Sequence, residues 1–338
     1  MKYYKCKHIH KKDLIIAVYL TVAVVAILVM GGLAISHWEN NRYAVKDVAD
    51  YSTNIDATPA PKEIIVDGIT YRQRPDVSTY LFIGVDNAGE ATGNDSYIGG
   101  GQGDVQMVLT TDDANKTWQI LQLNRDSIVD VSVLGIRGDV VGSTREQLAM
   151  AHSYGDGRQT SCENNVNVVS KLLEGQEIDG YMALNMDGVG ILTDMLGGVP
   201  VEITSDFTEI DSELQEGTIV TLTGKQALTF VRSRKNVDDE TNIARMARQR
   251  QFLAALQEQM NQQDAEFTIK AYDALSKYMI TNISSGTAEK IAEKLKEYQQ
   301  QNLLTIEGDN RVEDGHWAYY LDDESLQNVI LQMFYQKT

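Results

Sequence analysis

Hydrophobic and polar positions divide this chain into stretches of different period. Leu14 to Ile35 is an uncharged apolar run of about 22 residues, enough to cross a bilayer core as one helix. Ile64-Ile65-Val66 and Ile69-Thr70-Tyr71 flank Asp67-Gly68, the pattern of a small hairpin. Tyr80 to Val85 reads as a buried strand ending at Asp86, and a Gly-rich loop from Gly99 to Gly103 leads to Asp104. Val105 to Thr111 and Thr117 to Leu123 read as two strands around the polar turn Asp112-Asp113-Ala114-Asn115-Lys116. Pairing Thr111 with Thr117 lays Asp104 opposite Asn124 and beside Arg125, at one end of a sheet. Glu163 to Leu173 has helical spacing, with Val166, Val169 and Leu173 inward and Gly175 closing it. Tyr181 to Met186 reads as a strand, and Asp187 is placed to cap a helix closed by Gly197-Gly198.

The stretch Thr223 to Phe252 changes the picture. Thr223 and Gln226 have capping-box spacing, so a short helix starts there, and the chain is expected to leave it through Thr229-Phe230-Val231. In extended chain Arg232 and Arg234 share one side. The acidic run Asp238 to Thr241 suits the N-terminus of a second helix, on which Arg245, Arg248, Gln249 and Phe252 fall on one face. Beyond Phe252 the pattern is helical over Leu253 to Met260, Thr268 to Met279, Thr287 to Gln299 and Ser325 to Tyr335. Leu303 to Tyr320 reads as a polar loop or strand.

Charge gives that stretch its weight. The formal net charge is -18, and five of the thirteen arginines lie between Thr223 and Phe252. An acidic chain is a poor nucleic-acid binder, so nucleic acid is excluded as a partner. Clustered guanidiniums then have two readings: a solvated helix with surface salt bridges to Asp238, Asp239 and Glu240, or convergence on a carboxylate or phosphate. Cys6 and Cys162 form no C-x-x-C pair and the five histidines have no zinc-ligand spacing. His152 is a candidate base, or a histidine packed beneath a site; Arg158 is a loose phosphate contact or a solvated side chain. Five lysines precede the apolar run, which places the N-terminus in the cytoplasm and the remainder outside the membrane. A cleaved signal peptide is the alternative reading of that run.

The motifs Ile83-Gly84-Val85-Asp86, Gly103-Asp104-Val105-Gln106-Met107 and Asn124-Arg125-Asp126-Ser127 resemble those of the LytR-CpsA-Psr family. So does R-x-R, an acidic gap, then R-x-x-R-Q from Arg232 to Gln249. The resemblance spans roughly Thr79 to Leu256. It implies a magnesium ion on Asp86 and Asp104, and pyrophosphate bound by Arg125, Arg232, Arg234, Arg245, Arg248 and Gln249. Arg245 and Arg248 are implied to be catalytic, and Asp126 is the candidate base. Asn87, Gln102 and Gln147 stand where the family usually carries cations, and Asn242 where it often carries an acid.

The implied fold is α/β: a central mixed, largely antiparallel sheet between helical layers, behind an N-terminal transmembrane helix. The expected parts are a cytoplasmic tail (1–12), the membrane helix (13–36), a connector (37–77), the catalytic domain (78–260) and a C-terminal helical part (261–338). The implied activity is transfer of a glycopolymer from a polyprenyl-pyrophosphate carrier to peptidoglycan in a Gram-positive-type envelope. Two alternatives remain, a polyprenyl-pyrophosphate hydrolase and a non-catalytic polyprenyl-phosphate binder.

Overall fold

The computed structural model describes residues 62–338, apart from 94–98, 136, 239, 261 and 314. The apolar run, its basic leader and Asp239 lie outside the described residues. Among the described residues, no helix is long and apolar enough to cross a membrane.

The chain enters through β1 (Glu63–Val66) and β2 (Ile69–Gln73), an antiparallel hairpin. Its two turn residues, Asp67 and Gly68, both have positive φ, 52° and 75°, as an Asp-Gly hairpin turn requires. The last strand, Tyr335–Lys337, pairs with β2, and Ile64, Val66 and Tyr71 pack on the main core. The end of the expected connector is thus built into the domain.

The central sheet contains β3 (Val77–Val85), β4 (Gly103–Asp112), β5 (Thr117–Leu123) and, beyond the hairpin of β6 (Ile128–Leu134) and β7 (Val140–Gln147), β8 (Gly180–Asn185). β3 runs antiparallel to β4 and parallel to β8, so the sheet is mixed. Its strands are buried on both faces because both faces are covered. Leu81, Ile83 and Val85 pack with Val168 and Val169 of the helix Gln159–Leu172 and with Ile330 and Phe334 of the helix Asp323–Phe334. Tyr80, Met107 and Ile120 face Ile291 and Leu295 of the helix Ser285–Glu297. A second cluster joins the helices Met186–Met195, Gly224–Arg232, Asn242–Met260 and Ala265–Leu275 through Phe207, Phe230, Phe252 and Leu275.

Several local expectations change. β5 pairs with β4 one residue out of the expected register, with Thr111 opposite Trp118 and Asp112 opposite Thr117. The Asp112 carboxylate accepts from the backbone N–H groups of Ala114 and Asn115, and Lys116 takes φ 53°, which makes the turn one residue tighter. Strands buried on both faces carry no in–out alternation that could have fixed this register. The helix begun at Thr223 continues through Thr229-Phe230-Val231 to Arg232, because Ala227, Phe230 and Val231 are buried at helical spacing. Asn185, not Asp187, is the N-cap of the following helix; Asp187 instead accepts from Gly89 N at 2.7 Å. The helix expected from Glu163 starts at Gln159. The region after 261 is not helical throughout: Met279–Thr281 pairs with β8, and within the stretch read as loop or strand Gly308–Glu313 and His316–Leu321 form a hairpin.

Candidate active site

The site is built on an irregularity. Gly84 pairs with Val105 but Val85 pairs with Gly103, so Asp104 is an extra residue in β4, a bulge. Bulges re-aim side chains and are common beside functional sites. This one turns the Asp104 carboxylate into the cleft where β3 ends at Asp86. Asp86 N donates to Gln102 O at 2.9 Å, which holds the two aspartates at one sheet end. Burial, then the neighbouring charge of Asp104, pushes the Asp86 carboxyl above its usual range.

Two arginines form the floor. Arg125 Nη1 lies 3.0 Å from Asp104 Oδ1, and its Nη2 donates to Gln102 Oε1 at 2.6 Å. Arg245 Nη1 donates to Asp104 Oδ2 at 3.1 Å, while its Nε and Nη2 both donate to Asn242 Oδ1 at 3.0 and 2.6 Å. Asn242 is fixed in turn by donating to Asn124 Oδ1 at 2.6 Å. These guanidiniums are 7% and 4% exposed. Burial pulls the Arg245 pKa down from its ordinary value.

Two more arginines form the rim. Arg232 ends its helix and pairs with Asp86, and Arg234 Nη1 lies 3.3 Å from Asp126 Oδ2. Their side chains are 44% and 30% exposed. Lys235, Asn236 and Ile210 complete a polar cleft of about 580 Å³. Its lining has five cations (Arg125, Arg232, Arg234, Lys235, Arg245) against two carboxylates, Asp86 and Asp104. In so acidic a chain this is a local concentration of positive charge.

Arg248 and Gln249 share a helix face with Arg245 but do not line this cleft. Arg248 binds Phe230 O, Ser233 O and Asp238, and stacks over Phe207 at 5.3 Å. It therefore clamps the loop after Arg232, in which Asn236, Asp238 and Glu240 all have positive φ. Burial lowers its pKa to about 10. Gln249 Nε2 donates to Val231 O at 3.2 Å, and its Oε1 is buried without a hydrogen bond.

Asp126 lies beneath the cleft, fully buried, with Gln147 Nε2 3.1 Å from Oδ1 and Arg234 on Oδ2. Burial raises its pKa. His152 is 1% exposed under the glycine loop, with Nδ1 3.0 Å from Gly101 O. Burial lowers its pKa, and raises that of Cys162, 3.9 Å from its Nε2, to about 12. Both are packed groups beneath the site. Arg158 is exposed and is not part of the cleft lining. Gln102, Gln147 and Asn242, marked in the sequence as uncharged replacements, turn out to brace Arg125, Asp126 and Arg245.

Behind the cleft lies a second, apolar cavity of about 110 Å³. It is lined by Phe82, Ile83, Gly84, Val105, Met107, Met182, Leu184, Met186, Val189, Val231, Gln249, Phe252 and Leu253. Gly84 and Val105 sit two and one residues from Asp86 and Asp104, so cavity and cleft are lined by neighbouring stretches of β3 and β4.

Comparison with known proteins agrees with the motifs. The LytR_cpsA_psr family pattern matches residues 43–334. The chain belongs to this family. Its relatives include the polyisoprenyl-teichoic acid–peptidoglycan teichoic acid transferase TagU of Bacillus mycoides, 29% identical over 259 residues, or 74% of this chain and 75% of the relative. TagV of Bacillus subtilis, which carries the same transferase description, is 29% identical over 215 residues, 62% of this chain and 46% of its own. A structure of TagT bound to LIIa-WTA shares the fold at a TM-score of 0.57 and 21% identity, over 77% of this chain and 90% of that one.

The donor set that this family suggests for magnesium fits on chemical grounds. Asp104 Oδ1 is buried without an aligned hydrogen bond, although Arg125 Nη1 is close, and Asp86 stands beside it. Among the described residues no cluster of three or more His, Cys, Asp or Glu groups could enclose a metal. Two carboxylates are enough for magnesium, which keeps several waters and takes substrate phosphate oxygens.

Proposed function

We propose that this chain is a membrane-tethered phosphotransferase that moves a glycopolymer from a polyprenyl-pyrophosphate carrier to a peptidoglycan hydroxyl outside the cell membrane. The observation that carries this reading is the closeness of cleft and cavity along the chain. A cation-rich cleft and an apolar cavity are lined by neighbouring residues of β3, β4 and the Val231–Arg232 helix end, and a prenyl diphosphate has the same two parts side by side. At about 110 Å³ the cavity is smaller than ordinary ligand pockets, which run from about 300 Å³. Met107, Met182 and Met186 in its wall are unbranched and adaptable, so it widens for a chain by rotamer change. The relatives' names supply the polymer class, a teichoic acid or similar glycopolymer.

The acceptor oxygen bonds to the sugar-side phosphorus, the bridging oxygen leaves with the polyprenyl phosphate, and the acceptor's proton is released. Arg125 and Arg245, fixed in place, stabilise the charge that builds on the transferred phosphoryl group. Arg232, Arg234 and Lys235 hold the outer oxygens. Asp86 and Asp104 would hold magnesium, whose chemistry is neutralisation of pyrophosphate charge. Asp126, buried against Arg234, positions that rim arginine. An apolar run at 14–35 would keep the cleft at the surface where a lipid-linked donor resides.

The test incubates the full-length chain with a labelled polyprenyl-pyrophosphate glycan, peptidoglycan and Mg²⁺. A covalent glycan–peptidoglycan product is expected. Release of the labelled glycan as its phosphomonoester, with polyprenyl phosphate and no adduct, makes the protein a hydrolase, and binding with neither product makes it a lipid-binding regulator. Val189→Phe, which fills the apolar cavity, is expected to weaken polyprenyl-pyrophosphate binding by about 10-fold, some 1.4 kcal/mol. Inorganic pyrophosphate binding should not change.

A further inference from the structure

The four arginines of the cleft are not equally held, and the least held stands on a metal ligand. Arg125 and Arg245 are buried and braced by Gln102 and Asn242. Arg232 is the last residue of its helix, followed by Ser233 in extended conformation, and its guanidinium is 44% exposed against Asp86. We propose that Arg232 occupies the cation position beside Asp86 and is exchanged for a divalent ion, so that metal binding releases its guanidinium to the phosphate side of the cleft. This rests on the magnesium reading above.

Three observations support the exchange. The carboxylate of Asp86 is 34% exposed, so parting it from Arg232 costs little; an ion pair this open is weak. A doubly charged ion on either aspartate weakens the ion pairs made there, and of the three arginines on Asp86 and Asp104 only Arg232 lacks an amide brace and has solvent to move into. Once free, Arg232 lies beside Arg234 and Lys235 in the cleft lining, where it adds a third mobile cation for phosphate oxygens. The exchange is reciprocal: a diphosphate that draws Arg232 off Asp86 strengthens metal binding by the factor by which metal strengthens diphosphate binding.

The test is calorimetric titration of the full-length chain in detergent with Mg²⁺ alone. Arg232→Ala and Arg232→Gln are expected to bind Mg²⁺ about 5-fold more tightly than the wild type, as removal of a weak competitor would allow. Arg234→Ala removes the same charge from the same cleft but pairs with Asp126, so it should tighten binding by no more than about 2-fold. Equal shifts in the Arg232 and Arg234 variants would reduce the effect to bulk electrostatics and overturn the exchange. Unchanged or weaker Mg²⁺ binding in the Arg232 variants overturns it as well. If neither the wild type nor the Arg232 variants bind Mg²⁺, the magnesium reading itself fails and the exchange falls with it.

Discussion

The floor and the rim of the cleft use the same side chain in opposite ways. Arg125 and Arg245 rise from the end of a strand and from within a long helix, are nearly inaccessible, and spend part of their donor capacity on amide oxygens. Arg232 and Arg234 sit on a helix end and a loop, are partly solvated, and each meets a single carboxylate. A buried charge is tolerable only when paired, and the floor arginines are held by carboxylate and amide partners within the protein itself. An exposed pair is weak and exchangeable, so the rim can follow the substrate. Under the proposed reaction, that difference separates interactions set for the transition state from those set for capture.

The sharpest way to break that distinction is Arg245→Ala against Arg232→Ala. The floor variant is expected to lose roughly 10²–10³ in kcat, as for removal of a preorganised donor. The rim variant should act mainly on KM. Matching profiles from steady-state transfer kinetics would erase the division. Arg248→Ala probes what holds the rim in place. It strips a buried donor from Phe230 O and Ser233 O and leaves Asp238 alone, which should cost roughly 2–3 kcal/mol of stability in denaturant melts. A loss below about 0.5 kcal/mol would remove its clamping role. Asn242→Ala tests the brace: about 10-fold lower kcat at little changed KM, with partial rescue by Asn242→Asp, which restores the acceptor for Arg245. Equal losses in kcat and affinity would mean that Asn242 does more than orient Arg245.

The smallest effect comes from beneath the floor. Burial holds the His152 pKa below its ordinary value, so the unfolded chain binds a proton there that the folded one refuses. Stability from this group is full above about pH 6.5 and is lost as pH falls toward the folded pKa, with a slope of at most about 1.4 kcal/mol per pH unit. His152→Gln should flatten the urea midpoint between pH 7 and pH 5 relative to wild type. An identical pH profile would show that His152 does not couple to folding.

Elements set by neighbours in sequence were legible without coordinates. The Asp67-Gly68 turn, the Thr223–Gln226 capping box and the arginine-bearing helix Asn242–Met260 each depend on contacts within about four residues, and a short window contains them. Asp86, Asp104, Arg125, Arg232, Arg234 and Arg245, singled out from separate aspartate and arginine motifs, all line one cleft. Helical spacing also put Arg248 beside Arg245, yet only Arg245 reaches the cleft. A shared face says which way two side chains lean, not what waits there, and for Arg248 that is the backbone of Phe230 and Ser233. The bulge that turns Asp104 inward, the bracing of Arg125 by Gln102, the tie from Asn242 to Asn124 and the cavity shared by β3, β4 and β8 were decided by tertiary structure alone. Each joins segments far apart in the chain, through strand register and packing that no local pattern encodes.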